Sequence, residues 1–107
     1  MIDRLENILK KYNELTDEIS KPEVISDIGL LTKLSKEHSA LSEVVTVYKK
    51  YKEVIGSISD DEELLNDSEL KDIAKEELSS LYELKESLEK NLEIISETNL
   101  KFLVAWS

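Results

Sequence analysis

An all-α fold, an elongated bundle or hairpin of long amphipathic helices with an N-terminal helix, is predicted by three features of this 107-residue chain. Apolar residues recur at steps of three and four along three long stripes, which is the pattern of a helix that buries one face. Only two glycines and one proline are present, too few turn formers for a loop-rich sheet fold. Charged residues make up 36% and apolar residues 40%, a balance suited to helices that bury one stripe and solvate the rest. A mass of 12.3 kDa fits one folding unit.

Leu5, Ile8, Leu9, Tyr12, Leu15 and Ile19 form the first stripe and predict a helix over about residues 2–20. It ends around Ser20-Lys21-Pro22, because proline lacks an N–H and pushes the residue before it out of helical geometry. Residues 21–29 read as a connector, in which Val24 and Ile25 pack onto the helices. A second stripe runs through Leu30, Leu34, His38 or Leu41, Val45, Tyr48, Tyr51 or Lys52, Ile55 and Ile58. It predicts a helix of about 28 residues and roughly 40 Å. A turn or break is expected where Gly56 weakens the helix and Ser59-Asp60-Asp61 offers capping side chains. Leu64 and Leu65 then anchor a short helical segment, and Asn66-Asp67-Ser68 before Glu69 supplies another start signal. The third stripe, Leu70, Ile73, Ala74, Leu78, Leu81, Leu84 or Lys85, Leu88, Leu92 and Ile95, stays close to a heptad and predicts a further long helix. Isolated helices are marginal in water, so the stripes must bury one another. Residues 98–107 hold the only Phe and the only Trp, and read either as a strand or helical turn docked on the bundle or as an apolar tail beyond it.

The formal net charge of −10 is uneven: residues 1–57 carry 9 Lys/Arg against 10 Asp/Glu, and residues 58–107 carry 5 against 14. An acidic half repels a phosphate backbone, so direct nucleic-acid binding is not expected. A basic protein surface is the partner such a field favours, although an acidic solvated face is the plainer meaning of the same residues. With no cysteine there is no disulfide framework and no thiolate metal site. The Met1-Ile2-Asp3-Arg4 start lacks the cationic and apolar segments of a signal peptide, and no run is long enough to span a membrane. A soluble, cytoplasmic chain is expected.

No catalytic constellation is evident. The lone His38 has no cysteine, second histidine or serine elbow to work with, and its place on the second stripe suits the edge of a core. Asp60-Asp61-Glu62-Glu63 lacks the alternating ligands and glycine of a calcium loop, so only weak, nonspecific cation binding is expected there. Gly29 and Gly56 are isolated and form no phosphate-cradling loop. Lys49-Lys50-Tyr51-Lys52 interleaves basic and aromatic residues, but three lysines on a solvated helix face do not make a nucleic-acid groove. Tyr12, Tyr48, Tyr51 and Tyr82 suit half-buried helix interfaces. The expected catalytic, cofactor-binding and metal-ligating residues are therefore none, and no contact residue is singled out.

The ordered segments Arg4-Leu5-Glu6, Lys11-Tyr12-Asn13-Glu14-Leu15 and Ser20-Lys21-Pro22-Glu23-Val24-Ile25 resemble the N-terminal domain of bacterial peptide chain release factor 1, a class I release factor. Leu34 through Leu41, Val44-Val45, Tyr48, Tyr51-Lys52-Glu53 and Ile73 through Leu78 are similar to the same family in the same order, with His38 standing where a Tyr is expected. The resemblance covers roughly residues 2–95, and the Pro22-Glu23-Val24-Ile25 segment fits release factor 1 better than its paralogue release factor 2. It implies a termination factor that reads UAA or UAG in the ribosomal A site and directs peptidyl-tRNA hydrolysis. In the family those tasks fall to later domains, through a Pro-x-Thr-type motif and a Gly-Gly-Gln motif, and neither motif occurs here. After Ile95 the family continues through a proline-containing linker, whereas this chain reads Ser96-Glu97-Thr98-Asn99-Leu100-Lys101-Phe102.

The expected organisation is a release-factor helical domain over 1–96 and a divergent tail over 97–107, in a chain cut short, frame-shifted or taken as an N-terminal piece. Its expected role, as the resemblance implies, is not enzymatic: a docking domain facing stalk-base proteins of the ribosome. The alternative is a free-standing helical adaptor or coiled-coil protein that associates with itself through its helices.

Overall fold

A computed structural model describes the backbone of residues 2–106 and the side chains of residues 2–98. It is all-α: α1 (Ile2–Glu18), α2 (Pro22–Ile25), α3 (Ile28–Leu64) and α4 (Lys71–Trp106). The chain forms two compact units, one of Met1–Thr46 with Glu93–Ser107 and one of Val47–Leu92.

In the first unit, α1 buries Leu5, Ile8 and Leu15, one side of its predicted stripe, and leaves Tyr12 and Ile19 half-buried. Its last carbonyls are closed by tightened turns, Ser20 N to Asp17 O at 3.3 Å and Lys21 N to Glu18 O at 3.1 Å. Lys21 is then extended (φ −75°, ψ 137°), the conformation forced on a residue before proline. Pro22 opens α2, where its missing N–H costs nothing. The expected connector therefore contains one helical turn. Val24 is buried as expected, but Ile25 is 53% exposed, because a four-residue helix turns only one side to its neighbours. Asp27 caps α3, its Oδ1 accepting from Leu30 N at 3.1 Å. Among the described residues of this unit, Leu41, Val44 and Val45 of α3 and Ile95 and Ser96 of α4 are also buried.

The second unit is a helical hairpin. Tyr51 of α3 hydrogen-bonds Glu89 of α4, and Ile58, further along α3, clusters with Leu78, earlier in α4. Position rises along one helix as it falls along the other, so the two run antiparallel. Val54, Ile58 and Leu78 form the buried cluster, with Leu65, Leu81 and Leu88 packed against it. The core stripe passes through Tyr48, Tyr51, Val54 and Ile58, which corrects the expected phase: Ile55 is 37% exposed and Val54 takes the buried place. On α4, Ala74, Leu78 and Leu92 are buried, while Leu70, Ile73 and Leu84 stay largely exposed and Lys85 is half-buried. Its aliphatic stem extends the covered stripe where Leu84 does not.

The break expected at Gly56 is absent, and α3 continues to Leu64. A helical glycine costs about 1 kcal/mol relative to alanine. Burial of Val54 and Ile58 on either side of it is worth about 1.5–3 kcal/mol each, so the helix persists. The chain turns instead after Leu64, through Asn66 N to Glu63 O at 3.3 Å and Asp67 N to Leu64 O at 3.0 Å. Asp67 then starts α4, its Oδ1 accepting from Glu69 N at 2.8 Å and Leu70 N at 3.3 Å, at the place the Asn66-Asp67-Ser68 signal indicates. The backbone of α4 remains helical to Trp106, so a strand does not form there. Docking of Phe102 and Trp106 falls outside the described residues.

Candidate functional site

The end of the helical hairpin is the most distinctive surface of the second unit. Residues 60–77 carry nine acidic residues against Lys71 and Lys75, a formal net charge of −7. Asp60, Asp61, Glu62 and Glu63 occupy the last turns of α3, where the helix dipole is negative and no basic residue offsets it. Each such carboxylate works against the helix by a few tenths of a kcal/mol up to about 1 kcal/mol. Asp61 is covered, so Asp60, Glu62 and Glu63 are the ones that face solvent.

Asp60, Glu63, Leu64, Asn66 and Asp67 line an open depression of about 600 Å³ at the turn. Leu64 in this lining (37%), and Leu70 (39%) and Ile73 (62%) around the start of α4, expose apolar surface. Carboxylates around exposed aliphatic side chains can hold a basic, partly apolar protein segment: charge orients it and the side chains supply contact area. A phosphate backbone would be repelled.

Around the middle of the hairpin the residues considered from sequence have structural surroundings. The Tyr51 hydroxyl donates to Glu89 Oε2 at 3.1 Å; burial first, then that hydrogen bond, hold its phenol above the usual range. Tyr48 stacks with Tyr51 at 6.5 Å, and Lys52 Nζ lies 5.3 Å from the Tyr48 ring centre. Lys49 and Lys50 are exposed, with Lys50 3.8 Å from Glu53. Lys49-Lys50-Tyr51-Lys52 therefore divides between a solvated face and the core. Tyr82 departs from expectation: it is 47% exposed and borders a shallow depression with Leu65, Lys75, Leu78 and Ser79.

In the first unit, His38 is half-buried, its ring stacked on Tyr12 at 4.1 Å and 20°. Thr16 Oγ1 donates to Tyr12 O at 3.0 Å, which leaves its lone pairs to accept from His38 Nε2 at 2.8 Å. Both ends of the imidazole contact are thus spent on packing α1 against α3. Gly29 and Gly56 both lie within α3, and no group of three or more metal-ligating side chains converges among the described residues. No helix among the described residues is long and apolar enough to cross a membrane.

Asp61 is buried on the covered side of α3 with its Oδ2 unpartnered, a placement the sequence does not display. The available signal was an acidic residue at a core position, since Asp61 follows Val54 and Ile58 at helical spacing.

Residues 8–99 match the PCRF domain. The chain is 42% identical over 95 residues to peptide chain release factor 1 of Campylobacter hominis, covering 89% of this chain and 27% of that protein. It is 46% identical over 98 residues to peptide chain release factor 1 of Limosilactobacillus reuteri, with the same coverages. With the protein of the same name from Helicobacter pylori it shares 47% over 89 residues, covering 83% of this chain and 25% of that one. The chain thus spans about a quarter of the length of the curated relatives it matches. No solved structure matches it significantly.

Proposed function

Since the chain belongs to the PCRF-domain family, we propose that it is the N-terminal helical domain of a peptide chain release factor of the release factor 1 type, acting as a ribosome-facing protein-contact domain. Termination at UAA and UAG and hydrolysis of peptidyl-tRNA belong, on this proposal, to the whole factor. The chain contains no glutamine and its glycines are not adjacent, so it does not carry the Gly-Gly-Gln group that the resemblance associates with hydrolysis. It is not an enzyme on its own, and its place of work is the cytoplasm, where ribosomes are.

The observation that carries the proposal is the acidic hairpin end with its exposed Leu64, Leu70 and Ile73. Its charge favours basic protein over RNA, and the stalk base is the ribosomal region that the resemblance implies. Contact is made by Asp60 and Glu63 on the rim and by the aliphatic side chains beside them.

Cosedimentation of the purified chain with ribosomes at low ionic strength tests this function. The expected result is chain in the ribosome pellet, and no peptide release when the same chain is added to stop-programmed ribosomes. Chain confined to the supernatant, or measurable release, contradicts it.

A further inference from the structure

Far less apolar burial closes the end of the hairpin than closes its middle. Along α3, residues 48–58 bury Tyr48, Tyr51, Val54 and Ile58, about one side chain per turn. Over residues 59–77, which run through the turn into α4, the covered side chains are Asp61 and Ala74, with Leu65 half-buried. Ala74 contributes a methyl group and Leu65 part of a side chain, so little apolar area holds this stretch shut.

Asp61 works against closure. It lies one turn beyond Ile58, where the stripe calls for an apolar residue, and is only 7% exposed. Its Oδ2 is buried with no hydrogen-bond partner. Burial strips the water from this carboxylate oxygen, and the oxygen regains that water only when its surroundings open. Asp60, Glu62 and Glu63 act in the same direction, since they stand at the negative end of the α3 dipole with no basic residue in its last turn. The first bonds of the turn, Leu65 N to Glu62 O and Asn66 N to Glu63 O, are long at 3.3 Å.

We propose that residues 59–77 open as one cooperative unit while the middle of the hairpin stays folded, and that the buried Asp61 carboxylate sets how often they do. Opening is a property of the free chain. Its bearing on docking rests on the protein-contact reading given above: Asp60, Glu63, Leu64, Leu70 and Ile73 all lie within the opening unit, so the contact surface can rearrange against a partner. Ordinary fraying of a helix end is graded and stays on its own helix. A cooperative unit instead releases the end of α3 and the start of α4 together.

Amide hydrogen exchange of the full chain, followed by NMR at neutral pH, separates the two. In the wild type, the Leu64 and Leu65 amides of α3 and the Ala74 and Lys75 amides of α4 should share one opening equilibrium. Corrected for intrinsic rates, they should exchange about 100-fold faster than the Tyr51 and Val54 amides. Asp61→Asn keeps the side-chain shape and removes the charge, and should slow both groups by the same factor, about tenfold. Glu62→Gln, at an exposed neighbour, should slow them by about threefold or less. Asp61→Ala, which removes the carboxylate altogether, should act in the same direction as Asp61→Asn. Hairpin-end amides as protected as Tyr51 and Val54 would overturn the proposal, as would exchange that Asp61→Asn does not slow. Slowing confined to α3 would do so too, because it marks simple fraying. The measurement involves no ribosome, so a failure of ribosome docking leaves its result standing.

Discussion

Replacing Leu78 by alanine should destabilise the chain by about 3 kcal/mol, and replacing Ile73 by alanine should cost about 0.5 kcal/mol or less. Both residues lie on the same heptad-like stripe of α4, but Leu78 is 4% exposed and Ile73 is 62% exposed. Leu78→Ala removes three carbons from the Val54–Ile58–Leu78 cluster, a transfer loss of about 2.4 kcal/mol at 0.8 kcal/mol per methylene. A cavity contribution adds to it, held down because half-buried Leu65, Leu81 and Leu88 can settle partly into the space. Ile73→Ala gives up little buried area, and the better helix propensity of alanine returns a few tenths of a kcal/mol. Urea unfolding followed by far-ultraviolet circular dichroism measures both free energies. Equal losses at the two positions, or a loss below about 1 kcal/mol at Leu78, would refute the packing of α3 on α4 described above.

Gly56→Ala should stabilise by about 0.5–1 kcal/mol, read as a higher urea midpoint, because Gly56 is helical, has no positive φ and leaves open space for a Cβ. A lower midpoint would mean that α3 does not run through this position. Asp67→Ala should cost about 1 kcal/mol by leaving the Glu69 and Leu70 N–H groups without their cap, and Asp67→Asn should recover most of it. Thermal melts of the two variants check this, and identical melting temperatures would exclude the capping role.

Helix type was legible because three stripes keep one period over most of the chain, and the Pro22 and Asp67 boundaries were legible because each rests on local chemistry. The supposed break at Gly56 was not, since a local glycine penalty is outweighed by burial that only the partner helix provides. Stripe phase was lost for the same reason. Val54 and Ile55 are equally apolar in sequence, and the position of α4 decides which one is covered. The acidic bias of the second half was visible as charge, but its concentration beside Leu64, Leu70 and Ile73 depends on where the chain turns. That Asp61 would be covered depends on the hairpin register, which no local pattern encodes.

Ribosome affinity of the wild-type chain and of an Asp60→Lys/Glu63→Lys variant, measured at low and at raised salt, tests the central claim most directly. Both positions are exposed in the last turns of α3, where lysine suits the helix dipole, so the variant should fold at least as well as the parent. Wild-type binding should weaken as salt rises, and the reversal should reduce low-salt affinity by about tenfold or more. Wild-type binding that ignores salt, or a charge-reversed chain that binds as tightly as its parent, would contradict docking through the acidic hairpin end.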